Sequence, residues 1–145
     1  MAKRADDKII WFDKTDGFDK TVEAIASYVN NFNDLSYIPD YDGGKNLSTL
    51  CNICVRKLRV DLQTLTMEQI LNLEKAYVHH KTHKTQLTSI RLAKPTADMV
   101  DQVAKWLAEN TEVRHVYHGQ NPNRKLVLLM AIYYVHSIAI TDQQT

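Results

Sequence analysis

The sequence contains few residues that interrupt helices and few cysteines. Its 145 residues include only 4 glycines, 3 prolines and 2 cysteines. So little Gly and Pro excludes collagen-like and low-complexity chains and leaves long segments free to form helices. Two cysteines cannot build the disulfide framework typical of small secreted domains. We therefore expect reduced thiols and a cytoplasmic protein.

Export and membrane signals are also lacking. Residues 1–8 carry charge, but no apolar segment of signal-peptide length follows them. The most apolar run, residues 126–140, is interrupted only by His136 and Ser137. It is shorter than the roughly 20 residues that a helix needs to cross a bilayer. We predict that this run is a buried core helix and that the protein has no membrane partner.

Apolar residues recur at helical spacing along most of the chain. Phe18, Val22 and Ile25 share one face of a first helix, and Thr66 and Gln69 have the spacing of a capping box. The predicted helices cover about 18–32, 46–62, a segment from 66, a segment from 95, and 122–140, the last beginning at Asn121-Pro122. The third helix ends between residues 83 and 92, but the pattern does not indicate at which residue. The predicted fold class is all-α, a single domain over residues 1–145 built as a bundle of about five helices.

Two segments of the predicted domain are not helical. Residues 1–15 form an N-terminal extended arm, because Ile9-Ile10-Trp11-Phe12 is the only stretch with strand-like composition. Residues 33–46 form an acidic loop rich in Tyr and Gly, closed by Gly43-Gly44. Both segments are expected to lie on the surface of the bundle.

Two pairs of residues have the spacing of zinc ligands. Cys51 and Cys54 form one pair, and His79 and His83 form the other. At helical periodicity both cysteines share the apolar face of their helix, whereas the histidines lie opposite the apolar face of theirs. A metal held by His79 and His83 alone would be short of ligands. We therefore predict no metal and no cofactor.

The catalytic motifs tested do not fit either. The chain has no Gly-rich phosphate loop, and no Ser, His and Asp lie in a local arrangement that would activate a nucleophile. We predict that the protein is not an enzyme, and keep a histidine-dependent enzyme or metal protein as the third hypothesis.

Charge is distributed unevenly although the net charge is only +1. Residues 1–50 carry 6 cations and 9 acids, a net −3, and residues 51–145 carry 12 cations and 8 acids, a net +4. The stretches 75–97 and 113–141 contain no acidic residue. Basic stretches with interleaved aromatic residues suit contacts to a phosphate backbone.

The first functional hypothesis is therefore contact with nucleic-acid backbone, without sequence preference, as a subunit of a nucleoprotein assembly. The start of the last helix would provide an anion site, and Tyr117 a stacking face. The candidate residues are Arg114, His115, Tyr117, His118, Arg124, Lys125, Lys81, Lys84, Arg91 and Lys94.

The alternative hypothesis is a purely protein-binding module, such as an inhibitor, an adaptor or a structural subunit. Its candidate interface residues are Ile10 and Trp11 in the arm and Tyr37 and Tyr41 in the acidic loop. The helix at 122–140 is apolar nearly all round and needs cover on all sides. That cover could come from the bundle or from a second copy, so a homo-oligomer is also possible.

Overall fold

The computed structural model describes residues 8–29, 47–82, 84–111, 113 and 123–143. The elements are β1 (Lys8–Thr15), α1 (Phe18–Val29), α2 (Leu47–Asp61), a 3-10 turn (Leu62–Thr64), α3 (Met67–Thr82), β2 (Lys84–Leu92), α4 (Lys94–Asn110) and α5 (Arg124–Gln143). The chain is mainly helical, as predicted. The prediction of a purely α fold is wrong, because β1 and β2 form a two-stranded antiparallel sheet.

The sheet confirms one expectation and resolves another. The predicted N-terminal arm is extended over residues 8–15, but it is strand β1 of a sheet and not only an arm packed on the bundle. The segment in which no helix end could be assigned contains β2. The strands pair from Lys8 opposite Leu92 to Thr15 opposite Lys84. An extended segment needs a partner for its backbone N–H and C=O groups, and each strand provides that partner for the other.

Local signals in the sequence set the helix starts. The predicted capping box of α3 is confirmed, since Thr66 N–H donates to Gln69 Oε1 at 2.8 Å and Gln69 N–H donates to Thr66 Oγ1 at 3.1 Å. The predicted start of α5 at Asn121-Pro122 is wrong by about two residues. The helix begins at Arg124, and Asn123 caps it by accepting a hydrogen bond from Leu126 N–H at 3.1 Å.

Helix α5 packs against all four other helices. Its residues from Leu126 to Ile132 are buried without interruption. The bundle itself therefore covers the apolar surface for which a second copy was considered. By length and composition α5 could also cross a membrane over Arg124–Thr141, but half of that window is buried inside the fold, as in the core helix of a bundle.

Candidate functional site

The outer side of the two-stranded sheet exposes large apolar side chains. Successive strand residues point to opposite faces, so Ile10, Phe12 and Ile90 enter the core. Their neighbours point outward, where Ile9, Trp11 and Leu87 are 52%, 58% and 59% exposed. We call this surface the ribbon face; it consists of Ile9, Trp11 and Asp13 of β1 and Leu87, Ser89 and Arg91 of β2.

The register of the sheet brings these residues together. Ile9 lies opposite Arg91, and Trp11 lies opposite Ser89. Leu87 and Arg91 are the diagonal neighbours of Trp11, about 7–8 Å away between Cα atoms, which is within reach of an indole ring. The ribbon face thus combines three apolar side chains with the exposed guanidinium of Arg91 at one end and the half-buried Asp13, opposite Leu87, at the other.

Side chains of α2 hold the outer edge of β2 at Arg91. Arg91 N–H donates to Ser48 Oγ at 3.0 Å, and Asn52 Nδ2 donates to the carbonyl of Arg91 at 3.3 Å. The Oδ1 atom of Asn52 accepts from Ala93 N–H at 3.2 Å. Asn52 is buried, so these bonds replace the third strand that this part of the sheet lacks. Hydrogen bonds from α2 therefore fix the backbone of the ribbon face at Arg91.

A buried histidine attaches β1 to the bundle. His80 of α3 contacts the carbonyl of Asp13 through Nε2 and the hydroxyl of Tyr133 through Nδ1, the latter at 2.7 Å. Because a carbonyl only accepts hydrogen bonds, Nε2 of the neutral ring carries the proton and donates to Asp13. Nδ1 then accepts a hydrogen bond from the hydroxyl of Tyr133. Burial is the largest influence on this imidazole and lowers its pKa below the ordinary 6.5. His80 is thus neutral near pH 7.

One of the two predicted interface residues in the arm is misplaced. Ile10 is only 7% exposed and belongs to the core, whereas Trp11 beside it is exposed. The alternation of a strand allows only one of two consecutive residues to face solvent. Leu87, which the sequence reasoning did not single out, is exposed on β2 on the same face as Trp11. The alternation of Leu87, Ser89 and Arg91 with Ile90 and Leu92 was the available signal.

Two of the predicted anion-binding residues are engaged by carboxylates. Arg124 donates two hydrogen bonds to Asp101, from Nε at 2.9 Å and from Nη2 at 2.8 Å. These hydrogen bonds, which the carboxylate of Asp101 accepts, raise the pKa of Arg124 above its ordinary value. Lys94 pairs with Asp98 at 3.0 Å on the surface of α4. Lys125 is exposed at the start of α5, and Arg91 is exposed on the ribbon face.

Other predictions fall outside the described residues. They are those for Arg114, His115, Tyr117, His118, Tyr37, Tyr41 and His83, together with the side chains of Lys81 and Lys84.

The residues that have the spacing of zinc ligands lie in different surroundings. Cys51 and Cys54 are buried in α2, whereas His79 is exposed on α3. Burial raises the pKa of the Cys51 thiol to about 12 and also raises that of Cys54. Within the part of the chain that the structure describes, no group of three or more His, Cys, Asp or Glu side chains could hold a metal ion.

Comparisons with protein-family models, with curated proteins and with solved structures found no match. The functional interpretation therefore depends on the geometry of the chain itself.

Proposed function

We propose that this chain is a non-enzymatic binding protein and that the ribbon face docks a partner protein. The observation that supports this function is the exposure of Ile9, Trp11 and Leu87 on one side of a two-stranded sheet, next to Arg91. Clustered apolar side chains on a surface are typical of interaction sites, whereas single ones are common everywhere. Trp and Arg are also the residues most enriched among those that dominate binding energy.

The composition of the ribbon face specifies the chemistry of the partner. Ile9, Trp11 and Leu87 require an apolar or aromatic side chain that excludes water. Arg91 requires a carboxylate, which its guanidinium can hold through two parallel hydrogen bonds. The expected partner segment therefore combines apolar residues with at least one Asp or Glu.

A peptide library displayed on yeast tests this proposal. The purified protein is used to select binders from random peptides, alongside Trp11→Ser and a control, Val60→Ser, which removes an even more exposed apolar side chain from α2. We expect wild type and Val60→Ser to enrich peptides that combine apolar residues with Asp or Glu. Trp11→Ser should bind the same peptides at least about 30-fold more weakly, the effect of losing one dominant contact.

Three results would contradict the proposal. The first is that the three proteins enrich the same peptides with equal affinity, and the second is that wild type enriches none. The third is an equal loss of binding in Val60→Ser, which would show that apolar exposure anywhere, and not the ribbon face, explains the selection.

Contact with nucleic-acid backbone is the second candidate function. Trp11 offers an exposed ring on which an unpaired base could stack, and Arg91 beside it could contact a phosphate. The acid-free stretches 75–97 and 113–141 support the same function. Binding of oligothymidine or oligouridine that weakens strongly between about 50 mM and about 200 mM salt, and that Trp11→Ser reduces, would favour this candidate over a protein partner.

A further inference from the structure

The outer edge of β2 is only partly covered. Arg91 N–H donates to Ser48 Oγ at 3.0 Å, and the Arg91 carbonyl accepts from Asn52 Nδ2 at 3.3 Å, so both backbone groups point away from β1. The N–H and C=O groups of one strand residue point to the same edge, and the edge alternates from residue to residue. The backbone groups of Leu87 and Ser89 therefore point to the same outer edge as those of Arg91.

The two N–H and two C=O groups of Leu87 and Ser89 have no partner in the part of the chain that the structure describes. Side chains of α2 reach Arg91, but no described residue donates to or accepts from this edge at Leu87 or Ser89. Residues 85–89 also lack charged residues and proline, with which proteins commonly protect an edge strand from pairing. The edge is therefore open over these two residues and closed at Arg91.

The opposite edge of the sheet, along β1, is less accessible. His80 of α3 contacts the outward carbonyl of Asp13, and both α3 and α5 pack against β1. The inward-pointing Phe12 of β1 is buried, whereas Thr88 opposite it on β2 is half-buried and Gln86 is exposed. A further strand therefore has more room beside β2 than beside β1.

We propose that the partner of the ribbon face is an extended peptide segment that pairs with the open edge of β2 as a third, antiparallel strand. This inference rests on the proposed function and specifies how the partner is held. Opposite residues of an antiparallel pair exchange both hydrogen bonds, so two partner residues use all four groups of Leu87 and Ser89. A parallel strand would need three residues to use the same groups, because its bonds are slanted.

The added strand places alternate side chains on the ribbon face. Opposite residues of a sheet point to the same face, so the partner residues opposite Leu87 and Ser89 lie beside these two side chains. Because Ser89 is small, a large apolar residue opposite it can extend across it toward Trp11, which lies on its far side. The next alternate residue, opposite Arg91, can supply a carboxylate to the guanidinium although the backbone there is closed.

Charge favours a separate partner over a second copy of β2. Residues 84–92 contain no Asp or Glu, so a second β2 strand has no carboxylate to give to Arg91. Asp13 lies opposite Leu87 on the ribbon face and repels an acid at that end. From its N-terminus, the partner segment therefore reads acidic residue, any residue, large apolar residue, any residue, apolar residue.

Amide hydrogen exchange, measured by nuclear magnetic resonance, tests the proposal with the peptide that wild type enriches most strongly in the yeast selection. In the free protein, the N–H groups of Leu87 and Ser89 should exchange faster than that of Thr88, which points to β1. Saturating peptide should slow exchange at Leu87 and Ser89 at least about tenfold, because both become hydrogen-bonded. The control is Trp11, whose side chain shares the ribbon face but whose N–H points to the other edge. Its exchange should stay within about twofold.

Methylation of the peptide amides, one at a time, provides a matched control within the peptide. In an added strand, amides that donate to β2 alternate with amides that point away from it. Methylation of a donating amide should weaken binding at least about tenfold, and methylation of the amides between them should change the dissociation constant by less than about threefold.

Several results would overturn the added strand and leave the proposed function in place. They are binding without slower exchange at Leu87 and Ser89, slower exchange at Ile9 and Trp11 instead, and equal sensitivity to methylation at every peptide amide. Protection of Leu87 and Ser89 in a dimer that forms without peptide would identify a second copy as the occupant and overturn the proposal as well. Failure of wild type to enrich any peptide would overturn the proposed function together with this inference.

Discussion

At the scale of single residues, Asn52 illustrates how much one buried polar side chain can organise. It lies among the buried residues of α2, yet its amide contacts backbone groups of α2, of Arg91 and of Ala93. Nothing in the local sequence indicates this role, because the Arg91 carbonyl that it satisfies lies 39 positions away. The helical period predicted that Cys51 and Cys54 would be buried, and it could not predict what a polar residue between them would bind.

Replacing Asn52 should destabilise the fold strongly. In Asn52→Ala the buried N–H of Ala93 and the C=O of Arg91 lose a partner, and an unsatisfied buried group costs about 1–3 kcal/mol. We expect the free energy of unfolding, measured in urea, to fall by about 2–4 kcal/mol. The control is Asn110→Ala at the exposed end of α4, which should change it by about 0.5 kcal/mol or less. Equal effects of the two substitutions would show that the edge contacts at β2 are unimportant.

At the scale of elements, the helices were predictable and the sheet was not. The amphipathic period and the Thr66–Gln69 capping box are local signals, so α1 to α4 begin within about two residues of their predicted starts. Pairing between β1 and β2 joins segments about 75 residues apart, and no local pattern specifies such a partner. For the same reason the buried position of His80, between β1 and α5, could not be predicted.

The turn from β1 into α1 depends on Gly17. Its φ is +83°, in the left-handed region that residues with a Cβ rarely adopt, and a Cβ there would meet no atom within 4 Å. Gly17→Ala should therefore lower the free energy of unfolding by about 1 kcal/mol through backbone strain alone. Gly17→Asn should cost less, because Asn tolerates this conformation better. Thermal unfolding that ranks alanine at or above wild type would contradict this explanation.

At the scale of the whole molecule, charge pairing limits the surface available to a polyanion. Arg124, Lys94 and Lys14 each lie within 4 Å of a carboxylate of Asp101, Asp98 or Asp19. Asp98 and Asp101 are already counted in the net +4 of residues 51–145, so this pairing leaves the total unchanged but makes Arg124 and Lys94 less available to a phosphate. The sequence shows the acid-free stretches, but it does not show which of their cations pair with acids on other helices or strands. Because these cations are paired with acids, we propose the ribbon face, and not a basic surface, as the binding site.

Two histidines, the buried His80 and the half-buried His136, make the stability of the molecule depend on pH. Burial lowers the pKa of both His80 and His136 in the folded state, so below the ordinary value of 6.5 the unfolded chain binds more protons than the folded one. The free energy of unfolding is then fully retained above about pH 6.5 and decreases as the pH falls below it. Each group can contribute a slope of at most about 1.4 kcal/mol per pH unit.

Urea unfolding at a series of pH values from about 7.5 down to about 5.5 measures this slope, and the window stays above the range in which most carboxylates titrate. We expect wild type to lose stability steadily in the lower half of the window. His136→Gln removes one of the two groups and should show a shallower loss, while His80, which also fixes β1 to α3 and α5, continues to titrate. Stability that stays constant or rises as the pH falls, or an unchanged slope in His136→Gln, would mean that burial does not hold these imidazoles in the neutral form.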